Sequence, residues 1–243
     1  MLRPVAFVCA MPMEFAPLVR LLSLTKQAVG PLEGAVGRIG SRPVVAVVTG
    51  MGTSLATTGV EALLADVTVE RVLVVGITGA VGDEFAIGAL VCPERVVDAA
   101  TGEAFRPDQL GGDRPAGTLW TSDSMITDPD AVAALRRDGV VALDMETAAV
   151  AAVCRRHGIP WSVFRAVSDR TSDGIVDDEV FHLSHQDGTP DAKAVASYVA
   201  RHPGRIPALA RMARGSRQAT ERAASAAISA VRALGDPPPH GTG

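Results

Sequence analysis

The chain has 243 residues, with 23 Lys and Arg against 27 Asp and Glu, a net charge of -4, 47% apolar residues and only 4% aromatic ones. Without a basic excess it is not built to neutralise the phosphates of a nucleic acid, and no apolar stretch is long enough to span a bilayer. Its length suits one α/β domain with a large core made mostly of Ala, Val and Leu. The three cysteines, Cys9, Cys92 and Cys154, are far apart and set in apolar runs. That pattern predicts buried thiols, not a disulfide frame or a metal site. The opening MLRPVAFVCAMPME holds no long apolar region and no cleavage site, so a cytoplasmic location is the expectation.

Residues 4–10, PVAFVCA, predict a buried strand bounded by Pro12, with Glu14 just beyond it at the start of a helix that runs to Leu22. An acid at that place suits a ligand site, and equally the positive end of a helix dipole. Residues 33–49 predict a strand pair turning at Gly40 and Ser41. In GMGTSLATTGVEALLAD a glycine turn enters a helix. Gly50 and Gly52 let the backbone approach a ligand, and the helix start offers N–H donors. The spacing is not that of a Walker loop, since no Lys follows Gly52. RVLVVGI, 71–77, predicts another buried strand, and Gly79 and Gly82 clear space beside its end.

ALVCPERVVD predicts a further strand, 101–118 a loop, and TLWTSDSMITD a return to the sheet. PDAVAALRRDG predicts a helix with Pro129 in its first turn and Gly139 just past its end. Beyond Asp169 the chain turns acidic and loop-like. His182 and His185 flank that loop, and solvent exposure is their expected state. DAKAVASYVARH then predicts a helix, and RIPALARMARGSRQATERAASAAISAVRAL a long amphipathic helix or two whose arginines form a solvated face. GDPPPHGTG reads as a disordered tail. With no repeat and no linker, residues 1–234 are expected to form a single domain, followed by the tail 235–243.

The rest of the chain is organised around residues 139–169. An apolar run, Val140 to Leu143, stops at Asp144, Met145 and Glu146. An alanine-rich helix from Thr147 to about Arg156 follows, ended by Gly158 and Pro160. A second apolar run, Trp161 to Val167, stops at Ser168 and Asp169. Strand, helix, strand is the prediction, with a carboxylate at the end of each strand, where open parallel sheets bind ligands. Taken singly, Glu146 reads equally well as a helix cap and Asp169 as a turn residue. The pair of acids is what points to function. With Glu14 there are three carboxylates at strand ends, and no Cys–His pair, serine elbow or metal-ligand cluster competes with them.

Six stretches carry a resemblance: AMPME at 10–14, TGMGTSLA at 49–56, TGAVGDEFAIGALV at 78–91, SDSMI at 122–126, LDMETAAVAAVC at 143–154 and RAVSD at 165–169. In this order the chain resembles the purine nucleoside phosphorylase and nucleosidase superfamily, in its methylthioadenosine/S-adenosylhomocysteine nucleosidase branch. The resemblance implies a three-layer α/β sandwich with a central mixed, partly closed sheet flanked by helices, assembled as a homodimer. It implies cleavage of the bond between ribose and purine without a cofactor or metal. By the same resemblance Asp169 matches the acid that protonates the base, and Glu14 the base that activates water. Met145 and Glu146 match the ribose-binding pair, and Met125 and Ile126 the segment beside the purine. Ser168 and Arg165 match residues that support the acid, and Gly79 and Ala80 belong to the substrate-binding turn.

The chemistry agrees with these residue types on its own terms. Breaking a ribosyl C–N bond leaves positive charge on the sugar and negative charge on the base. An acid must therefore hold a proton for the base, while a carboxylate near the ribose stabilises the cation. Related phosphorylases carry an Arg where this chain has Ile77, and Glu14 would repel phosphate, so water is the expected nucleophile. Met125 stands where an aromatic residue often stacks, and Ala80 where a hydroxyl residue is common. The expectation is hydrolysis of 5′-methylthioadenosine or S-adenosylhomocysteine. The alternatives are a phosphorylase, a hydrolase of a futalosine-type or hopanoid-linked nucleoside, and a non-catalytic nucleoside-binding protein.

Overall fold

The computed structural model describes residues 2–111, 115, 117–126, 128–171, 183, 185, 189 and 191–235. His182 and the tail beyond Gly235 lie outside them. In chain order the first elements are β1 (Val5–Cys9), α1 (Pro12–Leu22), β2 (Thr25–Lys26), β3 (Gly34–Ile39), β4 (Arg42–Val48) and α2 (Thr53–Asp66). Next come β5 (Arg71–Ala80), β6 (Leu90–Val91), β7 (Arg95–Asp98), β8 (Ala104–Phe105), β9 (Thr118–Thr121) and α3 (Pro129–Arg137). The last are β10 (Val140–Asp144), α4 (Thr147–His157), β11 (Trp161–Arg170), α5 (Ala192–Arg201) and α6 (Ile206–Ala233).

Helix ends follow the sequence closely. Gly158 ends α4 at φ 64°, the left-handed conformation glycine adopts without a Cβ clash. The β3–β4 hairpin pairs Ile39 with Arg42 across Gly40 and Ser41, the turn the sequence predicts. Two strands run further than their apolar runs. β5 continues through Thr78, Gly79 and Ala80, and β11 through Ser168, Asp169 and Arg170. The predicted strand 89–98 divides into β6 and β7 around Pro93, which has no N–H to give a ladder. The predicted loop at 101–118 contains the short strand β8.

All eleven strands join one mixed sheet whose main path runs β2-β3-β4-β1-β5-β10-β9-β7-β8. It does not close into a barrel. It forks at β5, which pairs in parallel with β1 and β11 and, at its far end, antiparallel with β10. Helices cover both faces, giving the three-layer sandwich. On one face Val8, Val72 and Val74 pack with Val60 and Leu63 of α2 and Val150 and Val153 of α4. On the other, Phe7, Leu73 and Val75 pack with Phe15 and Leu18 of α1 and Ala219, Ala223 and Ala227 of α6. Alternate residues of β1 and β5 thus enter opposite cores, so their runs are apolar throughout. Cys9 and Cys154 are buried in these cores and Cys92 is half-buried.

The fork positions the site. β10 and β11 lie on either side of the end of β5 and run in opposite directions along it. Leu143 faces Gly79 from one side and Asp169 faces Gly79 from the other. The acids therefore converge because two strands of opposite sense meet one long strand, not because two neighbouring parallel strands end side by side.

Candidate active site

A cavity of about 470 Å³ opens over this junction. Glu14, Ile77, Gly79, Met125, Ile126, Asp144, Met145, Glu146, Arg165, Ser168 and Asp169 all line it, with Met11 and Met51 on its apolar wall. Ten residues are expected at the site from the sequence, and the cavity gathers all of them except Ala80. That residue is completely buried in the apolar core beneath α2 and α4. Asp144 is absent from the sequence-based set, and it is a full member of the cluster.

Arg165 is the centre of the cluster and is 2% exposed. Its Nη1 donates to Glu14 Oε1 at 3.3 Å and to the Ile77 carbonyl at 3.1 Å. Its Nη2 donates to Asp144 Oδ2 at 2.7 Å and Glu146 Oε2 at 2.9 Å. Its Nε donates to Thr147 Oγ1 at 3.4 Å. These contacts use the five N–H donors of a guanidinium. One buried cation thus faces three buried carboxylates, and its pKa is raised further by them. Among the described residues no cluster of His, Cys, Asp or Glu is arranged to hold a metal. The carboxylates converge on Arg165 instead.

Each carboxylate is held for a local reason. Glu14 Oε2 accepts from the Ala10 and Met11 N–H groups at 2.9 and 3.1 Å, closing the start of α1, while Oε1 accepts from Ile77 N at 2.8 Å. Glu14 thus stands at the helix start and lines the cavity at once. Burial raises its pKa, opposed by Arg165 and the three backbone donors. Glu146 stands at the N-cap of α4 and makes no capping bond. Asp144 makes it, accepting from Thr147 N at 3.2 Å. Glu146 turns instead to the cavity, where Oε1 accepts from Gly52 N at 3.1 Å. Burial, and the charges of Asp144 and Glu14, push Glu146 up to about 7 against the pull of Arg165.

Asp169 owes its position to a bulge. Val167 pairs with Thr78 and Asp169 with Gly79, so Ser168 is the extra residue of β11. A bulge re-aims the side chains beside it, and Ser168 and Asp169 both reach the cavity. Ser168 Oγ lies 2.5 Å from Asp169 Oδ1 and 3.4 Å from the Thr78 carbonyl. Asp169 is no ordinary turn residue, because it sits within β11. Two glycines make room. A Cβ on Gly79 would stand 3.3 Å from Asp169 Oδ2. One on Gly76 would stand 2.6 Å from Glu14 Cδ and drive into the Glu14–Arg165 pair. Gly76 is a requirement no sequence pattern reveals.

One further expectation changes. The helix-start donors at the Gly50–Gly52 turn are already engaged, Gly52 N by Glu146 and Thr53 N by Asp123 Oδ1 at 2.7 Å. Arg20 and Arg38, cations that would serve phosphate if they reached the site, do not line the cavity. Arg20 pairs with Glu221 at 2.5 Å, and Arg38 donates to the Ser41 carbonyl. Of the two arginines on the wall, Arg165 has its donors spent and Arg170 donates to the Phe85 carbonyl at 2.8 Å.

Known proteins share both sequence and fold with this chain. It is 28% identical over 199 residues to a 5′-methylthioadenosine/S-adenosylhomocysteine nucleosidase of Shewanella sp. (strain W3-18-1), covering 69% of this chain and 86% of that protein. A nucleosidase of the same name from Bacillus pumilus is 40% identical over 83 residues, 33% of this chain and 35% of that protein. The crystal structure of the Helicobacter pylori nucleosidase with butyl-thio-DADMe-Immucillin-A matches with a TM-score of 0.72, covering 96% of this chain and 100% of that one, at 15% identity. The native futalosine hydrolase of Helicobacter pylori strain 26695 matches with a TM-score of 0.71 over 96% of this chain and 99% of that one, also at 15% identity. The sequence pattern of the phosphorylase superfamily matches two overlapping stretches, residues 4–115 and 109–202, which together take in every residue around the cavity, and the chain belongs to that superfamily.

Proposed function

We propose that this protein hydrolyses the N-glycosidic bond of a purine nucleoside, and that its substrate is 5′-methylthioadenosine or S-adenosylhomocysteine. The observation that carries the proposal is one cavity into which Glu14, Glu146 and Asp169 all open, with Arg165 fixed beneath the first two. In this mechanism Asp169 gives a proton to the departing base as the C–N bond breaks. Ser168, 2.5 Å away, orients that carboxyl group. The sugar becomes cationic, and Glu146 accepts hydrogen bonds from its hydroxyls and stabilises it through space. Water attacks the anomeric carbon and gives its proton to Glu14. Burial helps Glu14 keep the proton it takes. Met145 packs against the ribose, Met125 and Ile126 against the base, and Gly79 leaves space for Asp169.

Water is favoured over phosphate as the nucleophile by the charge on the cavity wall. Four carboxylates face it, and of its two arginines Arg165 has no donor left to give while Arg170 donates to the Phe85 carbonyl. An unpaired dianion there would be strongly disfavoured. A homodimer in the cytoplasm, serving methionine salvage, belongs to the same proposal. No helix among the described residues is long and apolar enough to cross a membrane. The test is a panel of adenosine derivatives differing in the 5′-substituent, with and without phosphate, followed by adenine release. Release from the two thio-nucleosides without phosphate is the expected result. Binding of all members with release from none would make the protein a nucleoside binder instead.

A further inference from the structure

A second cavity of about 470 Å³ lies behind Asp169 and shares Ser168, Asp169 and Arg170 with the first. Its outer wall is one face of α6, Arg211, Arg214, Gly215 and Gln218. These residues follow the i, i+3, i+4, i+7 spacing of a helix face. Farther along α6, Ala219, Ala223, Ala227 and Val231 are buried against the sheet. Gly215 brings this face close to the site, since a Cβ there would stand 2.9 Å from the Ser168 carbonyl. Arg211 and Arg214 are exposed, as the sequence predicts for the arginines of this helix, and they stand at the rim of the cavity. Among the described residues no carboxylate pairs with Arg211 or Arg214, whereas Arg20, Arg136, Arg155 and Arg156 each have an acidic partner.

We infer that this second cavity is an oxyanion subsite, which takes a carboxylate or phosphate through Arg211 and Arg214 next to the acid that meets the leaving base. The anion is either a substituent on the base or a free ion. Two guanidiniums on one helix face supply the charge and the paired N–H donors that such groups take, and Gln218, which donates to the Ile87 carbonyl at 3.4 Å, stands beside them. The inference rests on the nucleosidase proposal only for the base-linked form of the anion.

The experiment compares the wild type with the double variant Arg211→Ala and Arg214→Ala. Both arginines are solvent-accessible and alanine favours the helix, so the fold is kept, as circular dichroism will verify. Three probes are titrated calorimetrically: an adenosine with a carboxymethyl group on its exocyclic nitrogen, the neutral propyl analogue, and inorganic phosphate. For a base-linked anion the wild type binds the carboxymethyl probe at least about tenfold more tightly than the neutral one, and the double variant loses that preference. For a free ion, phosphate binds the wild type saturably and the variant not at all. Either outcome supports the subsite. It is overturned if the variant matches the wild type in both preference and phosphate binding, or if the wild type shows neither. Failure of both nucleosides to bind would count against the nucleosidase proposal, while the phosphate titration would still decide the subsite.

Discussion

Glu146 and Asp169 are the residues on which the proposed chemistry turns, and each gives a different test. Asp169→Asn removes the proton donor without changing size. Turnover should fall by about 10²–10⁴, with the thermal midpoint little changed, and near wild-type adenine release would remove Asp169 from the acid role. Glu146 can be tested by pH, because burial raises it from the ordinary 4.5 to about 7. Below that window it is protonated in the folded and unfolded chain alike. As pH rises toward 7 the unfolded chain ionises first, so folding stability falls by about 3 kcal/mol across the window and is level above it. Activity moves the other way, since only ionised Glu146 stabilises a cation. The profile of kcat/KM should rise with a midpoint near pH 7, and Glu146→Gln should abolish that limb and flatten the loss of stability. A profile whose acid limb survives in Glu146→Gln would assign the limb to another group. The sequence marks both acids through the abrupt end of an apolar run. It does not mark Asp144 or Arg165 as partners, since the 2.7 Å contact between them joins residues on two strands that never pair with each other.

At the level of elements, strand β5 and the segment 122–126 set the cavity's shape. Gly76 lies beneath the Glu14–Arg165 pair, so Gly76→Ala should separate the two charges and lower both activity and stability. Breaking a buried pair costs about 3–5 kcal/mol, and a variant with wild-type melting temperature would show that the pair moves freely. Asp123 ties the segment 122–126 to α2, accepting from Thr53 N at 2.7 Å and Thr53 Oγ1 at 2.6 Å. Asp123→Ala should raise KM several-fold with a smaller effect on kcat, and Asp123→Asn, which keeps an acceptor for Thr53 N, should restore KM. A loss in kcat alone would place Asp123 outside substrate positioning. Strand and helix positions were largely legible because their apolar runs and glycine or proline stops are local signals. The extensions of β5 and β11 were not. Thr78, Gly79, Ser168 and Asp169 read as turn residues, and they stay in strands because each extension pairs with the other. The bulge at Ser168 likewise exists only in that pairing.

Over the whole molecule, two apolar clusters on opposite faces of one sheet bind the N-terminal and C-terminal parts together. α6 packs on β11 and β5 and against α1, so the last long helix covers the first. We propose that the chain unfolds as one unit. Calorimetry should give a single transition with equal calorimetric and van't Hoff enthalpies, and two separable transitions would divide the chain into two domains. The α/β class follows from length and from alternating buried strands and helices, and the three layers from the family resemblance. The fork at β5 does not, because strand direction is decided by pairing partners far apart in the chain. That fork gathers four carboxylates around one cavity, three of them on a saturated arginine, and so favours water over phosphate. The most direct test is the reaction in phosphate-free buffer made with ¹⁸O-labelled water, followed by mass spectrometry of the sugar. The expected product is a free ribose derivative carrying one ¹⁸O at the anomeric carbon. A strict need for phosphate, with a sugar 1-phosphate as product, would contradict the assignment.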